Sequence, residues 1–426
     1  MSRELLITLI ILAITIAGFF SGKFKLGVVG MTAATLLCIT GVLSVQEAYA
    51  YFSNQNMVMV VAFFILGGSL TKTHFVDHLR VWLFKHAGNG TRLVAMYLLA
   101  CALLVQLLLP TPLISVMIPF MDALDPDGDV QPANLLFPGT VVAHAAQNAV
   151  PLGMGLTMFA MLNTYLESYG VTQQLGVFDV IKVAIVPFLV MYLYFVFIGW
   201  KLFPKKNIDR SKIAKAKEKD PSQYLSPAKE KLVYFLFLLS MVLLAFSSHL
   251  PFPMYIIPVI ADLILLYTKT IDHVDVKNFI NMDTVFMLGG VLSLASAMAK
   301  TGAGDWLSGV IVNLLGGHPT AMQTLIAFYF VTAILTQLMS NAATMNVFAP
   351  LAVAVAVNQG FNPLTFVVAI CIGANSAMLT PMASPSCAVA FGAGNYSMKD
   401  VFKASIPIFF IYSFVVILMS SLVFPL

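Results

Sequence analysis

Apolar runs separated by short polar breaks follow one another along the whole chain. They fall near positions 5–20, 26–43, 57–70, 93–109, 135–149 and 177–202, and resume at 232–250, 254–267, 284–298, 324–339, 365–379 and 406–424. Continuous runs of this length predict membrane-crossing helices, whereas strands of an outer-membrane barrel would alternate polar and apolar positions. Composition sharpens the picture: 59% of residues are hydrophobic and 10% charged, against roughly 25% charged in soluble domains. Such a chain cannot clothe a water-facing surface of this size, and disorder or nucleic-acid binding is excluded on the same grounds. The expectation is an all-α polytopic membrane protein of the inner (plasma) membrane, embedded in the lipid bilayer. The run at 5–20 lacks a small-residue cleavage site and is expected to stay as a span. The four cysteines lie in apolar segments without metal-ligand spacing and read as core residues.

The one long polar break, Lys201 to Lys231, holds ten of the 23 Lys and Arg residues. Basic loops stay cytoplasmic, which places the linker at 204–231 inside. If the fourth and tenth runs are re-entrant hairpins, five true spans precede the linker and the N-terminus lies outside. Lys23, Lys25, Lys72, Arg80, Lys85, Arg92, Lys269, Lys277, Lys399 and Lys403 then join the linker on one side, while Arg3 and Lys300 fall outside. Treating those runs as plain spans scatters the charges. Ten transmembrane helices plus two re-entrant hairpins is therefore the predicted topology.

The chain also repeats itself. Lys72-Thr73 with Asp77 and Leu79 recurs as Lys300-Thr301 with Asp305 and Leu307. Gln106-Leu107 with Val116 and Pro119 recurs as Gln337-Leu338 with Val347 and Pro350, and Val150–Gly153 recurs as Thr380–Ala383. The register is nearly constant across these matches, which predicts two repeats, 1–203 and 232–426. An odd number of spans per repeat inverts the second in the membrane. Inverted repeats with interrupted helices are the build of secondary transporters, with the site at midplane where the breaks meet.

Each half carries two interruptions: a hairpin tip, at Leu109–Pro112 and at Ser340–Thr344, and an unwound stretch, expected at Val150–Gly155 and at Thr380–Ser386. Freed backbone groups are tolerated at membrane depth only beside a cavity or inside protein. A helix opening after a tip offers free N–H groups and a positive dipole end to an anion. Ser340, Asn341 and Thr344, with Thr111 from the opposite tip, are the candidate anion contacts. Pro151, Gly153, Pro381, Ser384 and Pro385 would line the same cavity. Hydroxyl and carbonyl oxygens of Ser340, Asn341, Thr380 and Ser384 would suit a hard cation such as sodium. His144, costly inside a membrane, is a candidate for coupling. Small polar residues at such positions also serve close helix packing, but their pairing in both halves favours a site.

These motifs resemble the divalent anion:sodium symporter family, the di- and tricarboxylate and sulfate carriers of the ion transporter superfamily. The resemblance rests on Met339–Thr344, on Asn375–Ser384 with Pro385, on Gly392, Gly394, Asn395, Tyr396 and Asp400, and on Asn278–Ala297 and Gly41–Phe52. It implies a transporter of small anions, a di- or tricarboxylate or else sulfate, driven by sodium, by protons or by anion exchange. It also implies a homodimer in which a moving transport part slides like an elevator against a scaffold. No cofactor is implied other than co-transported sodium. The first half departs from the family: Leu109, Pro110 and Thr111 align with its Ser-Asn-Thr tip, and Met154, Gly155 and Leu156 replace hydroxyl and proline residues.

Three other features of the sequence bear on function. Asp262 sits inside an apolar run without a sequence partner. Asp122, Asp125, Asp127 and Asp129 crowd one loop that lacks the closing glutamate of a calcium loop and reads as a solvated turn. Gly302–Asp305 has the GxGD form of intramembrane aspartyl proteases, with Asp262 as the conceivable partner. Its Asp305, however, has a repeat mate in Asp77 without the glycines, and reads as a helix-terminal residue. No zinc or nucleophile-elbow motif occurs, so the chain is not expected to be an enzyme.

Overall fold

The computed structural model describes residues 2–21, 23–86, 88, 90–108, 110–122, 124, 128–149, 154–213, 224–246 and 249–426. The expected all-helical polytopic architecture is what these residues form. The first half runs α1 (Arg3–Ser21), α2 (Leu26–Ile39), α3 (Val45–Tyr49), α4 (Gln55–Leu70), α5 (Phe75–His86), α6 (Gly90–Leu104), α7 (Pro110–Asp122), α8 (Pro132–Ala149), α9 (Met154–Ser168) and α10 (Asp179–Phe197). The second runs α11 (Pro227–Ala245), α12 (Ile256–Tyr267), α13 (His273–Phe279), α14 (Met282–Thr301), α15 (Ala303–Leu314), α16 (Ala321–Leu335), α17 (Asn341–Gln359), α18 (Pro363–Ala374), α19 (Pro385–Gly394) and α20 (Met398–Val423). The two lists match element for element. Pro110 opens α7 and Asn341 opens α17, Pro132 and Pro363 open α8 and α18, and Met154 and Pro385 open α9 and α19, each pair 231 residues apart.

Among the described residues α10, α14, α17 and α20 are each long and apolar enough to cross a membrane unaided. The short helix pair α3–α4 is bent by 42° at its joint. Several other apolar helices are shorter, among them α2, α12 and α18 at 12–14 residues, and this separates the fold from a simple bundle of full-length spans.

Local chemistry explains the boundaries. Ser44 and Glu47 form a capping box at α3, and Asp272 and Asp275 form one at α13. Each cap satisfies amides that the first helical turn leaves unpaired. These boxes are repeat mates, and so are the ion pairs they enter. Lys72, after α4, meets Asp275 at 2.6 Å, while Lys300, at the end of α14, meets Glu47 at 2.8 Å. Each half thus lends its lysine to the other half's capping acid. Asp77 and Asp305 sit in the first turns of α5 and α15, as their sequence context suggested, and Tyr224 donates to Asp77 at 2.6 Å.

Small residues let the halves interlock. A Cβ on Gly290 of α14 would lie 2.0 Å from the carbonyl oxygen of Gly30 in α2, so only glycine allows this backbone approach. Helices α10 and α20, themselves mates, cross directly, with Tyr194 donating to the Ala404 carbonyl at 2.8 Å. Helices α8 and α18 are buried on every side, which puts them at the centre of the fold although α8 carries Asn134, Thr140, His144, Gln147 and Asn148. That places the polar side chains of α8 where nothing but protein or cargo can satisfy them.

Three boundaries differ from the sequence expectation. The first interruption closes by Met154, because Met154 and Gly155 already belong to α9. The second opens earlier and closes earlier than expected: α18 ends at Ala374, a single 3-10 turn covers Pro381–Ala383, and α19 starts at Pro385. Proline at the first helical position has no amide to lose there, so Pro385 begins a helix rather than breaking one. The linker likewise ends in α11, which starts at Pro227.

Candidate functional site

The second hairpin tip is built around Gln337. Its Nε2 donates to the carbonyls of Ala333 (2.9 Å) and Ser376 (2.8 Å), and its Oε1 accepts from the amides of Met378 (3.1 Å) and Leu379 (2.9 Å). The Thr380 hydroxyl donates to the Gln337 carbonyl. One side chain therefore staples the end of α16 to the stretch that leaves α18. The Thr336 hydroxyl donates to the Ala374 carbonyl at 2.5 Å. With that proton committed, Asn341 must turn its amide nitrogen toward Thr336 Oγ1 (2.9 Å), from where it also donates to the Ala374 (3.2 Å) and Ala383 (3.1 Å) carbonyls. Asn341 thereby joins the tip to the turn that precedes Ser384.

Ser340 caps α17, accepting from the Ala343 amide at 3.3 Å, and is half-buried. Thr344 is fully buried, its hydroxyl turned back to the Ser340 carbonyl at 3.2 Å. Thr344 therefore stands behind the tip. Pro381 opens the 3-10 turn and is half-buried, and Pro385 is exposed at the start of α19.

Among the described residues, which leave out 109 and 150–153, the first half repeats part of the same scaffold. Gln106 Nε2 donates to the carbonyls of Ala102 (3.3 Å) and Ala146 (2.8 Å), in the pattern of Gln337, but its buried Oε1 has no partner. Thr111 is half-buried in the first turn of α7. Leu109, Val150, Pro151, Gly153, Asp125 and Asp127 lie outside the described residues, and Asp129 pairs with Lys205 at 3.1 Å.

The two halves meet through α8. His144, 4% exposed, places Nε2 at 2.9 Å from both Ser384 Oγ and Ser386 Oγ. Ser384 in turn caps α19, accepting from the Cys387 amide at 3.1 Å. One turn further along α8, Asn148 Oδ1 accepts from Asn375 Nδ2 at 3.1 Å. Among the described residues His144 Nδ1 and Asn148 Nδ2 are buried without a hydrogen-bond partner within bonding geometry, although the Gln147 side chain lies close enough to interact with the imidazole. The sequence flagged His144 and Ser384 separately; the structure makes them neighbours. Thr336, Gln337, Asn375 and Ser386 were not among the candidate residues, although Gln106 and Gln337 stood out as matched positions.

The site carries no fixed positive charge. No Lys or Arg occurs between Arg92 and Lys182 or between Lys300 and Lys399, the spans that supply all four interruptions. Amides, hydroxyls and the starts of α17 and α19 can hold an anion. A multiply charged one at membrane depth also needs a companion cation, since an uncompensated buried charge is expensive. Ser340, Asn341, Thr380 and Ser384 supply only oxygen and amide groups, the donor set of a hard monovalent cation and not of a transition metal. Among the described residues no cluster of His, Cys, Asp or Glu could hold a metal. Asp262, in α12, keeps an unpartnered Oδ1 and shares no hydrogen bond with Asp305.

Known proteins resemble this chain in sequence and in fold. The family model described as citrate transporter matches residues 7–373. The sodium-dependent dicarboxylate transporter SdcS of Staphylococcus saprophyticus is 22% identical, aligned over 86% of this chain and 76% of its own length. Shorter matches include the uncharacterized transporter sll0640 of Synechocystis, 30% identical over 32% of this chain and 22% of its own length. They also include the human solute carrier family 13 member 1, 29% identical over 33% of this chain and 23% of its own. The chain thus matches well under half the length of several relatives. Among solved structures, MtrF of Neisseria gonorrhoeae, one of a class of antimetabolite efflux pumps, superposes with a TM-score of 0.60 at 15% identity over 91% of this chain and 83% of its own. The YdaH transporter of Alcanivorax borkumensis gives 0.56 at 15% identity over 89% and 86%. At that identity the likeness concerns the fold alone.

Proposed function

This chain belongs to the citrate transporter family, and from that membership we propose that it carries a di- or tricarboxylate across the inner (plasma) membrane. It is a multi-pass membrane transporter and not an enzyme. The observation that carries the finer reading is the meeting of two interrupted helices across the halves, His144 with Ser384 and Ser386 and Asn148 with Asn375. The segments 1–203 and 232–426 act as inverted repeats joined by the cytoplasmic linker 204–231, with the N-terminus outside. The carried anion sits between the tips, near Ser340, Asn341 and Thr111. Pro151, Gly153, Pro381, Ser384 and Pro385 bound the cavity, and Thr344 backs the tip. A cation, sodium on the precedent of SdcS, shares the oxygens of Ser340, Asn341, Thr380 and Ser384. His144, bonded to Ser384, is the residue through which coupling would pass. Movement is elevator-like, with the tip-bearing helices sliding past the rest within a homodimer.

Uptake of labelled succinate and citrate into proteoliposomes tests this reading, with and without an inward sodium gradient and with or without internal anion. Sodium-stimulated uptake is the expected outcome. Uptake that needs internal anion would make the protein an exchanger, and no uptake of any carboxylate would overturn the substrate class. For orientation, a cysteine placed at Lys206 should resist impermeant thiol reagents in whole cells. Labelling from outside would invert the topology.

A further inference from the structure

Two cavities meet on the linker side of the first half. The inner one, about 360 Å³, reaches from Gln106, Leu107 and Leu108 at the first hairpin tip to Asn281. The outer one, about 570 Å³, is rimmed by Lys72, Lys229 and Lys269 together with Tyr224 of the linker's end. Thr71, Asn278 and Phe279 wall both, so the two adjoin along these residues. The Phe279 ring lies flat on α4 where Gly68 leaves room; a Cβ there would come within 2.3 Å of it. Each cavity falls in the roughly 300–1,000 Å³ range of small-molecule sites.

The rim is electrically biased. Its two carboxylates are already committed: Asp275 to Lys72 at 2.6 Å, and Asp272 to the amides of Val274 and Asp275, both at 2.8 Å. Those amides, more than any neighbouring charge, hold the Asp272 carboxyl below the ordinary range. Lys229 donates to the Lys269 carbonyl, and among the described residues neither ammonium has a carboxylate partner. The three lysines of the rim outnumber its two carboxylates, so one net positive charge stands over a concave mouth, a geometry that focuses field and raises local anion concentration. The path behind them ends at the first tip, where Gln106 keeps an unpartnered buried oxygen.

We propose that this basin is a docking site where the carried carboxylate is gathered by Lys229 and Lys269 before it passes Phe279 to the first tip. The inference rests on the carboxylate reading above. It assigns the pair an accessory role, fixing the apparent affinity from the linker side and leaving the turnover step alone.

The test uses Asn278→Cys, which places a thiol on the wall common to both cavities. Three of the native cysteines are buried, and Cys38 is corrected for by the unsubstituted protein. Anionic and cationic methanethiosulfonate reagents are compared, each normalised to a free thiol. The anionic reagent should react faster, and Lys229→Gln with Lys269→Gln should cut that preference roughly threefold to tenfold, with the preference also fading in high salt. Should Asn278→Cys fail to fold, Thr71→Cys reports on the same wall. In transport, the double glutamine variant should raise KM from the linker side by the same factor with kcat kept. An unchanged reagent preference, or an unchanged KM in a transporting protein, would overturn the proposal. A preference that depends on added anionic lipid would assign the lysines to headgroups and overturn it too. If no carboxylate is transported at all, the function falls, while the labelling ratio still decides whether the basin gathers anions.

Discussion

Gln106 and Gln337 occupy matched places in the two halves and donate to matched carbonyls, yet only Gln337 has its oxygen satisfied. Around Gln337 stand Thr336, Asn341 and Thr380, each bonded to the neighbouring stretch, and Ser340, which caps α17. Around Gln106 the corresponding tip reads Leu109, Pro110 and Thr111. One backbone plan has thus been kept with two different polar fillings. Among the described residues the second tip is a closed network, which is stiff when fully satisfied, and the first leaves the Gln106 oxygen open. Under the proposed function, the second tip would fix the cargo and the first would admit it.

The largest effect expected from this asymmetry concerns transport. Asn341→Ala removes the amide that joins the tip to Ala374 and Ala383, and uptake should be lost while expression and membrane insertion are kept. Thr111→Ala, at the sparser tip, should lower uptake less than tenfold. Comparable losses from the two would mean that the tips share the cargo equally, and normal uptake by Asn341→Ala would remove the second tip from the site.

Stability should show the next largest difference. Gln337→Met keeps the side-chain volume but strands the Met378 and Leu379 amides and the Ser376 carbonyl. Stranded buried groups cost about 1–3 kcal/mol each, and partial compensation inside a membrane protein reduces this, so a loss of ~2–4 kcal/mol is expected. Gln106→Met gives up two donated bonds but also removes the orphaned oxygen, and should cost about 1 kcal/mol. Thermal unfolding in detergent measures both. Equal losses would show that the open oxygen of Gln106 is satisfied in the working protein.

Much of this fold was legible because the bilayer imposes it. Long apolar runs have few alternatives to helices, and constant spacing between Lys72 and Lys300, or Gln106 and Gln337, betrays duplicated elements. What escaped was every feature that depends on contact across the halves. The lysines served as register marks, and their true partners, Asp275 and Glu47, lie 203 and 253 positions away. The bond from His144 to Ser384 spans 240 positions and requires both interruptions to be placed first. Thr344 illustrates the opposite error. A hydroxyl in the right motif can still face backward, because its direction follows from helix phase once Ser340 is fixed as the cap. Helix starts blurred for a related reason, since Pro385 looks like a breaker in sequence and acts as a first residue in structure.

The smallest expected effect separates the two reciprocal ion pairs. Lys72 and Asp275 are 26% and 17% exposed, whereas Lys300 and Glu47 are 46% and 43% exposed, so solvent screens the second pair more strongly. Lys72→Gln should therefore lower the midpoint of thermal unfolding more than Lys300→Gln does. The Lys300 ammonium, with the Ser44 amide after it, holds the Glu47 carboxyl down at about 2, from an ordinary value of 4.5. A carboxylate depressed in the folded state stabilises it above the unfolded value, and that contribution is lost as pH falls through the folded one. The stability gap between the natural protein and Lys300→Gln should accordingly be flat above about pH 5 and shrink progressively toward pH 2. Unfolding midpoints measured in detergent between pH 7 and the acid limit of solubility give the comparison. A gap that widens with acid, or a larger cost for Lys300→Gln than for Lys72→Gln, would show that the exposed pair is the one that braces the halves.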